Sequence, residues 1–148
     1  MGDFEVRAQL GDDPTARRPS TPTALDQASR ELALLAADAC DDRKAVDIRL
    51  IRVDEVSSLA DWFVIASGLS DVQVRAIARS VEDRIEETHR RLPLRREGQT
   101  EGRWVLLDYG ELIVHVLTPQ ERSYYDLEAF WGHGDHEPYL GSGAASQA

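Results

Sequence analysis

The 148-residue chain carries 42% hydrophobic and 30% charged side chains, the mixture of one globular domain with a core. Its net charge of −10 disfavours a free-standing nucleic-acid binder, which needs a basic face for phosphates, and favours a basic protein partner. One cysteine, Cys40, excludes an intrachain disulfide, and no apolar run reaches the roughly 20 residues of a membrane span.

Residues 1–22 are polar, without apolar period, and read as a disordered tail. They lack the basic-then-apolar order of a secretory signal, and Asp3, Glu5, Asp12 and Asp13 argue against a transit peptide. A soluble, cytoplasmic protein is expected. A folded unit is expected over 23–131. Residues 132–148, rich in Gly, Ser and Ala, read as a flexible C-terminal tail.

Thr23 is placed to cap a first helix whose apolar side is Leu25, Ala28, Leu32, Leu35, Ala36 and Ala39. Cys40 closes that pattern as an inert, partly buried thiol. Residues 46–53 alternate, with Val46, Ile48 and Leu50 opposite Asp47 and Arg49, as a half-covered strand does. Trp62-Phe63-Val64-Ile65-Ala66 is a continuous apolar run, suited to a central strand buried on both faces. Ser70 and Gln73 have capping-box spacing for a second helix with the stripe Val74, Ile77, Ala78, Val81 and Ile85. A short strand at 92–96 and a polar loop at 98–102 follow. Residues 104–108 and 112–117 read as a hairpin turning at Tyr109-Gly110, with Gly110 free to take positive φ. Thr118 caps a last helix with Pro119 in its first position, and Tyr124, Leu127, Phe130 and Trp131 give it an aromatic side. The order predicts a mixed α/β domain with helices packed on a sheet.

Little here carries chemistry. The sequence has no dinucleotide fingerprint, phosphate loop or nucleophile elbow, and paired-cysteine zinc patterns are impossible. His133, Asp135, His136 and Glu137 sit in a Gly-rich setting without a rigid frame for a metal. No metal and no cofactor are expected. Gly68 to Asp71 has the strand–Gly-Ser–helix order of a nucleotidyltransferase phosphate loop, so a nucleotide-binding enzyme is the alternative reading. Such enzymes clamp magnesium with closely spaced carboxylates, and the chain has no Asp-x-Asp. No enzymatic activity is expected.

The hairpin is the anomaly. Trp104, Leu106 and Asp108 face one way and Val105, Leu107 and Tyr109 the other, and 112–117 is apolar throughout except for His115. Surplus apolar and aromatic surface marks a partner site, and Trp and Tyr are common hot spots. On physics alone the hairpin is either that site or padding of the core. His115 reads as a sheet residue with one ring nitrogen hydrogen-bonded.

Four segments resemble the ribosomal silencing factor (Iojap) family. They are Asp61-Trp62-Phe63-Val64-Ile65-Ala66-Ser67-Gly68 running into Ser70-Asp71; Trp104 through Asp108-Tyr109-Gly110-Glu111; Val114-His115-Val116; and Arg122, Tyr125, Asp126-Leu127-Glu128 and Trp131. The resemblance spans residues 25–131 in consistent order. It implies a nucleotidyltransferase-like fold without catalytic carboxylates, and a non-enzymatic protein of a family whose members are often homodimers in isolation. It implies binding to ribosomal protein L-fourteen on the large ribosomal subunit, blocking association of the small subunit and repressing translation under nutrient limitation. No direct nucleic-acid readout and no membrane are implied. The expected docking residues are Trp104, Asp108, Tyr109, Gly110, Glu111, His115, Arg122 and Tyr125. Trp104 and Tyr109 are expected to supply apolar area, Asp108 and Glu111 to pair with basic groups of the partner, and Gly110 to allow close backbone approach. Tyr139 and Leu140, beyond the resemblance, are candidates for extra contacts.

Overall fold

Six strands form one mixed sheet in the order β3-β4-β5-β2-β1-β6. This computed structural model describes residues 24–54, 59–126, 129 and 135–139. The strands are β1 (Val46–Arg52), β2 (Trp62–Ser67), β3 (Arg95–Glu97), β4 (Trp104–Asp108), β5 (Leu112–Leu117) and β6 (Asp135–Pro138). The helices are α1 (Ala24–Asp42), α2 (Asp71–His89) and α3 (Pro119–Tyr125). Only the β2–β5 pair is parallel; the other neighbours run antiparallel. The mixed α/β expectation holds.

Every residue of β2 and β5 is buried, as two-sided apolar runs demand. One face of the sheet, with Leu50, Val64, Val105, Leu107 and Val114, packs against α1 and α2. The other face gathers Ile51, Phe63, Ile65, Ile113 and Leu117, with Trp104 and Leu106 half-buried against them. Among the described residues no helix is long and apolar enough to cross a membrane.

The expected stripe of α2 is buried in full. Its cap differs in one detail. Ser70 Oγ accepts from Gln73 N at 3.1 Å, but the Gln73 side chain reaches back to Leu69 N, at 2.8 Å. The stripe of α1 is shifted. Leu25 and Ala28 are exposed, and the buried side begins at Ser29, then Leu32, Ala33, Ala36, Ala37, Ala39 and Cys40. Ser29 buries there because its hydroxyl donates to Asp61 Oδ2 at 3.0 Å, which satisfies the polar group. Thr23 lies outside the described residues. Cys40 is buried, and burial, helped by Asp41, pushes its thiol up to about 12, as an inert thiol requires.

In β1 the predicted alternation starts late. Asp47 takes φ +52°, the register slips between Val46 and Arg49, and Val46 is left exposed. This bulge twists the strand before Ile48 and Leu50 enter the core. Part of the expected C-terminal tail is instead sheet. Residues Asp135–Pro138 pair antiparallel with β1, and Tyr139 N donates to Ile48 O at 3.1 Å. Tyr139, expected as an external contact, packs against the core and donates its hydroxyl to Asp38; Leu140 lies outside the described residues. The short strand falls at 95–97, three residues later than expected, because Leu92 and Leu94 stay exposed and contribute nothing to the core.

Candidate functional site

The hairpin of β4 and β5 positions every candidate except Arg122 and Tyr125. Its faces divide as the period-2 pattern predicts. Trp104, Leu106 and Asp108 are half-buried on one side, and Val105, Leu107 and Tyr109 are buried on the other, under α2. The candidates therefore form two groups at opposite ends of β4, about 13 Å apart at 3.3 Å per residue.

At the first end, Trp104 Nε1 donates to His115 Nδ1 across the strand pair at 3.1 Å. His115 is buried against Phe63, with ring centroids 5.0 Å apart and planes at 63°. Burial holds its imidazole down at about 4, so it is neutral at pH 7. Accepting at Nδ1 assigns its proton to Nε2, which has no hydrogen-bond partner among the described residues. The expected sheet histidine with one bonded nitrogen is what is found. On the outer side the Tyr125 ring meets Trp104 at 5.0 Å and 53°, and Tyr124 meets Tyr125 edge-on at 4.9 Å. Thr118 starts α3 by accepting from Glu121 N, and Arg122 anchors it by donating Nη1 to Ser67 Oγ at 2.9 Å. The result is an aromatic row, Phe63–His115–Trp104–Tyr125–Tyr124, running from core to surface. Tyr125 is 51% and Tyr124 80% exposed.

At the second end the chain turns through Gly110 at φ +97°, a conformation that suits glycine, with Tyr109 N donating to Leu112 O at 2.8 Å. Asp108 Oδ1 accepts from Gly110 N at 2.9 Å. Arg91, just past the end of α2, pins the turn. Its two Nη groups meet both Glu111 oxygens at 2.8 and 3.0 Å, and Nη2 also reaches Tyr109 O. The Arg91 hydrogen bond holds the Glu111 carboxyl below the usual range, against the opposing pull of burial. Glu111 O in turn accepts from Asp61 N and Trp62 N at 2.9 and 3.1 Å, which ties the turn to the start of β2.

Four expected contacts thus need correction. Tyr109 is 1% exposed in the α1–α2 core, so its ring has no area to give a partner. His115 and Arg122 are buried and act behind the surface, one under Trp104 and the other under α3. Glu111 is not a free anion awaiting a basic partner, because Arg91 already holds it in a two-pronged pair. Asp108 keeps a weaker link, 3.5 Å to Arg95. Trp104, Gly110 and Tyr125 stay accessible. The sequence reading missed Tyr124, Leu106 and Arg91 as parts of the site. The Tyr124-Tyr125 doublet and the Arg90-Arg91 pair were the available signals. Leu127, Glu128, Phe130 and Trp131 lie outside the described residues.

The pair makes a testable contribution. Arg91→Met should cost about 1 kcal/mol at pH 7, a modest value because both side chains are about a third exposed. A lowered carboxyl stabilises the fold above its unfolded value and loses that contribution as pH falls through its folded one. The gap between wild type and Arg91→Met in thermal melts should therefore close below about pH 4. A gap independent of pH would assign the loss to packing.

The sequence and the fold have counterparts. The sequence profile described as "Ribosomal silencing factor during starvation" matches residues 26–146. The chain is 45% identical over 103 residues to the ribosomal silencing factor of Bacillus subtilis (strain 168), covering 70% of this chain and 86% of that one. It is 43% identical over 121 residues to that of Zymomonas mobilis, covering 79% and 89%. A crystal structure of a Chromobacterium violaceum protein superposes with a TM-score of 0.67 at 39% identity, covering 70% of this chain and 85% of that one. The matched span takes in the hairpin, the aromatic row and the anchored last helix, and the chain belongs to the ribosomal silencing factor family.

Proposed function

We propose that the chain docks on the large ribosomal subunit through ribosomal protein L-fourteen, blocks joining of the small subunit by its bulk, and so represses translation when nutrients run short. The observation that carries this reading is the exposed aromatic row on the sheet face turned away from α1 and α2. Trp104 and Tyr125 supply apolar area, Tyr124 extends it, and Leu106 and Asp108 continue the strip along β4 toward Gly110. Tyr109, His115, Arg122 and the Arg91–Glu111 pair hold that surface in shape. The net charge of −10 favours encounter with a basic ribosomal protein. A standard interface takes roughly 800 Å² from each partner, an area of the order that a hairpin strip plus one helix side can supply. Sedimentation with purified subunits tests the reading. The protein should travel with the large subunit and not with the small one. Sedimentation with the small subunit, or with naked RNA, would contradict it.

A further inference from the structure

Between α2 and the edge strand β3 lies a cavity of about 200 Å³, on the sheet face opposite the aromatic row. Its floor is apolar, made by Ala78 and Val105. Arg75, Arg79 and Glu82 line it from α2, where their spacing puts them on one side of the helix beside the buried stripe. Arg96 lines it from β3, and Gln99 from the loop that follows. Alternation along β3 turns Arg95 and Glu97 to the other side, where they pair at 3.6 Å.

The charges of the cavity do not cancel. Arg96 Nε meets Glu82 at 3.3 Å, which neutralises one guanidinium and leaves its two Nη groups over. Arg75 is committed to structure. Its Nη1 donates to Thr100 O and Glu101 O, each at 3.3 Å, and Asp71 stands 3.9 Å away, at the limit of a pair. A Cβ at Gly102 would come within 2.5 Å of that Nη1, so the loop lies close on the guanidinium. Arg79 and the Gln99 amide have no hydrogen-bond or ion-pair partner among the described residues. Three guanidinium groups thus face one lining carboxylate, and positive charge remains after Asp71 is counted against Arg75. Asp83 and Glu101 are near in the chain, but they are exposed and do not line the cavity. In a chain of net charge −10 this is a local exception.

The free groups are donors, and they come from three elements. One guanidinium fork satisfies the two oxygens of a carboxylate in a single plane, whereas a phosphate offers oxygens in several directions. Groups converging on a cavity suit the phosphate of a small molecule. A nucleic-acid backbone is met by a basic stripe or face, which this acidic chain lacks. We propose that this cavity is an anion site for a phosphorylated small molecule, held by Arg79 and Arg96, with Gln99 donating from the loop that Arg75 keeps in place. The site uses the face of the sheet away from the aromatic row, so it stands or falls separately from the docking reading.

The full-length protein can be titrated with sodium pyrophosphate at constant ionic strength, which removes general screening, while NMR follows the Gln99 side-chain amide and the arginine Nε–H signals. The Gln99, Arg79 and Arg96 signals should shift saturably. Arg103, an exposed arginine that does not line the cavity, should not respond. Arg79→Gln should weaken binding about fivefold, the loss of one exposed charged contact. Glu82→Gln frees Arg96 and removes the lining carboxylate, so it should tighten binding by a similar factor, a gain that a purely structural Glu82 would not give. Arg79 is exposed and Glu82 only partly buried, so both variants keep the core intact. No saturable shift, an equal response at Arg103, or an affinity unchanged in either variant would overturn the site. A short single-stranded RNA, titrated in the same way, should bind more weakly than pyrophosphate. RNA binding that is tighter and depends on Arg79 would overturn the small-molecule ligand and assign the cavity to a nucleic-acid backbone.

Discussion

Tyr109→Ala is expected to lower the unfolding free energy by about 3–5 kcal/mol, the range for deleting a buried aromatic ring. That is a large share of the roughly 5–15 kcal/mol of a typical domain. The ring is among the largest fully buried side chains of the core, between α2 and the sheet. Tyr109→Phe should change stability by less than about 1 kcal/mol, because the phenol oxygen has no hydrogen-bond partner among the described residues to lose. Urea titrations of the two variants measure both. If Tyr109→Ala folds as stably as wild type and loses only ribosome binding, the ring is an interface residue and its burial is misassigned.

Trp104→Ala is expected to weaken binding to large subunits by about 2 kcal/mol or more, roughly 30-fold, as removal of a central aromatic anchor does. Some stability goes with it, since Trp104 also packs against the second core cluster and donates to His115. Tyr125→Ala separates the two effects, because that ring is half exposed and lies on the outer side of Trp104, away from the core. Equilibrium binding of labelled protein to purified large subunits, read beside thermal melts, gives both numbers. A Tyr125→Ala variant that melts like wild type and binds like wild type would remove the aromatic row from the interface.

Both predictions turn on which side of β4 meets solvent, and there the sequence is legible only in part. Period-2 alternation separates Trp104, Leu106 and Asp108 from Val105, Leu107 and Tyr109 without saying which set a helix will cover. The stripe of α2 decides it, because Ala78 and Val81 belong to the same core as Val105 and Leu107. The all-apolar β2 and β5, the α2 stripe and the caps at Ser70 and Thr118 were readable because their signals are local. The pairing of β6 with β1 was not. It joins residues far apart in sequence, and a Gly-rich flank beside charged residues looks like a tail. The Arg91–Glu111 pair spans 20 residues, and neither partner carries a local mark of it. On α1 the apolar pattern was misjudged by one turn because Ser29, a polar residue, is buried through Asp61.

The site has a division of labour that the list of motif residues conceals. Buried groups set shape, His115 under Trp104, Arg122 under α3 and Tyr109 under the turn, and the half-buried Arg91 pins the turn beside them. Tyr125, Tyr124 and the outer edge of β4 are exposed and form the contact surface in the proposed docking. Substitutions of the first kind should lower stability and docking together, and those of the second kind docking alone.

The claim that docking prevents subunit joining is tested most directly by mixing large and small subunits with the protein in stoichiometric excess and resolving the products on a sucrose gradient. The joined-ribosome peak should fall, with free large subunits carrying the protein, and Tyr125→Ala should restore joining. A joined peak that persists with the protein bound to it would contradict occlusion.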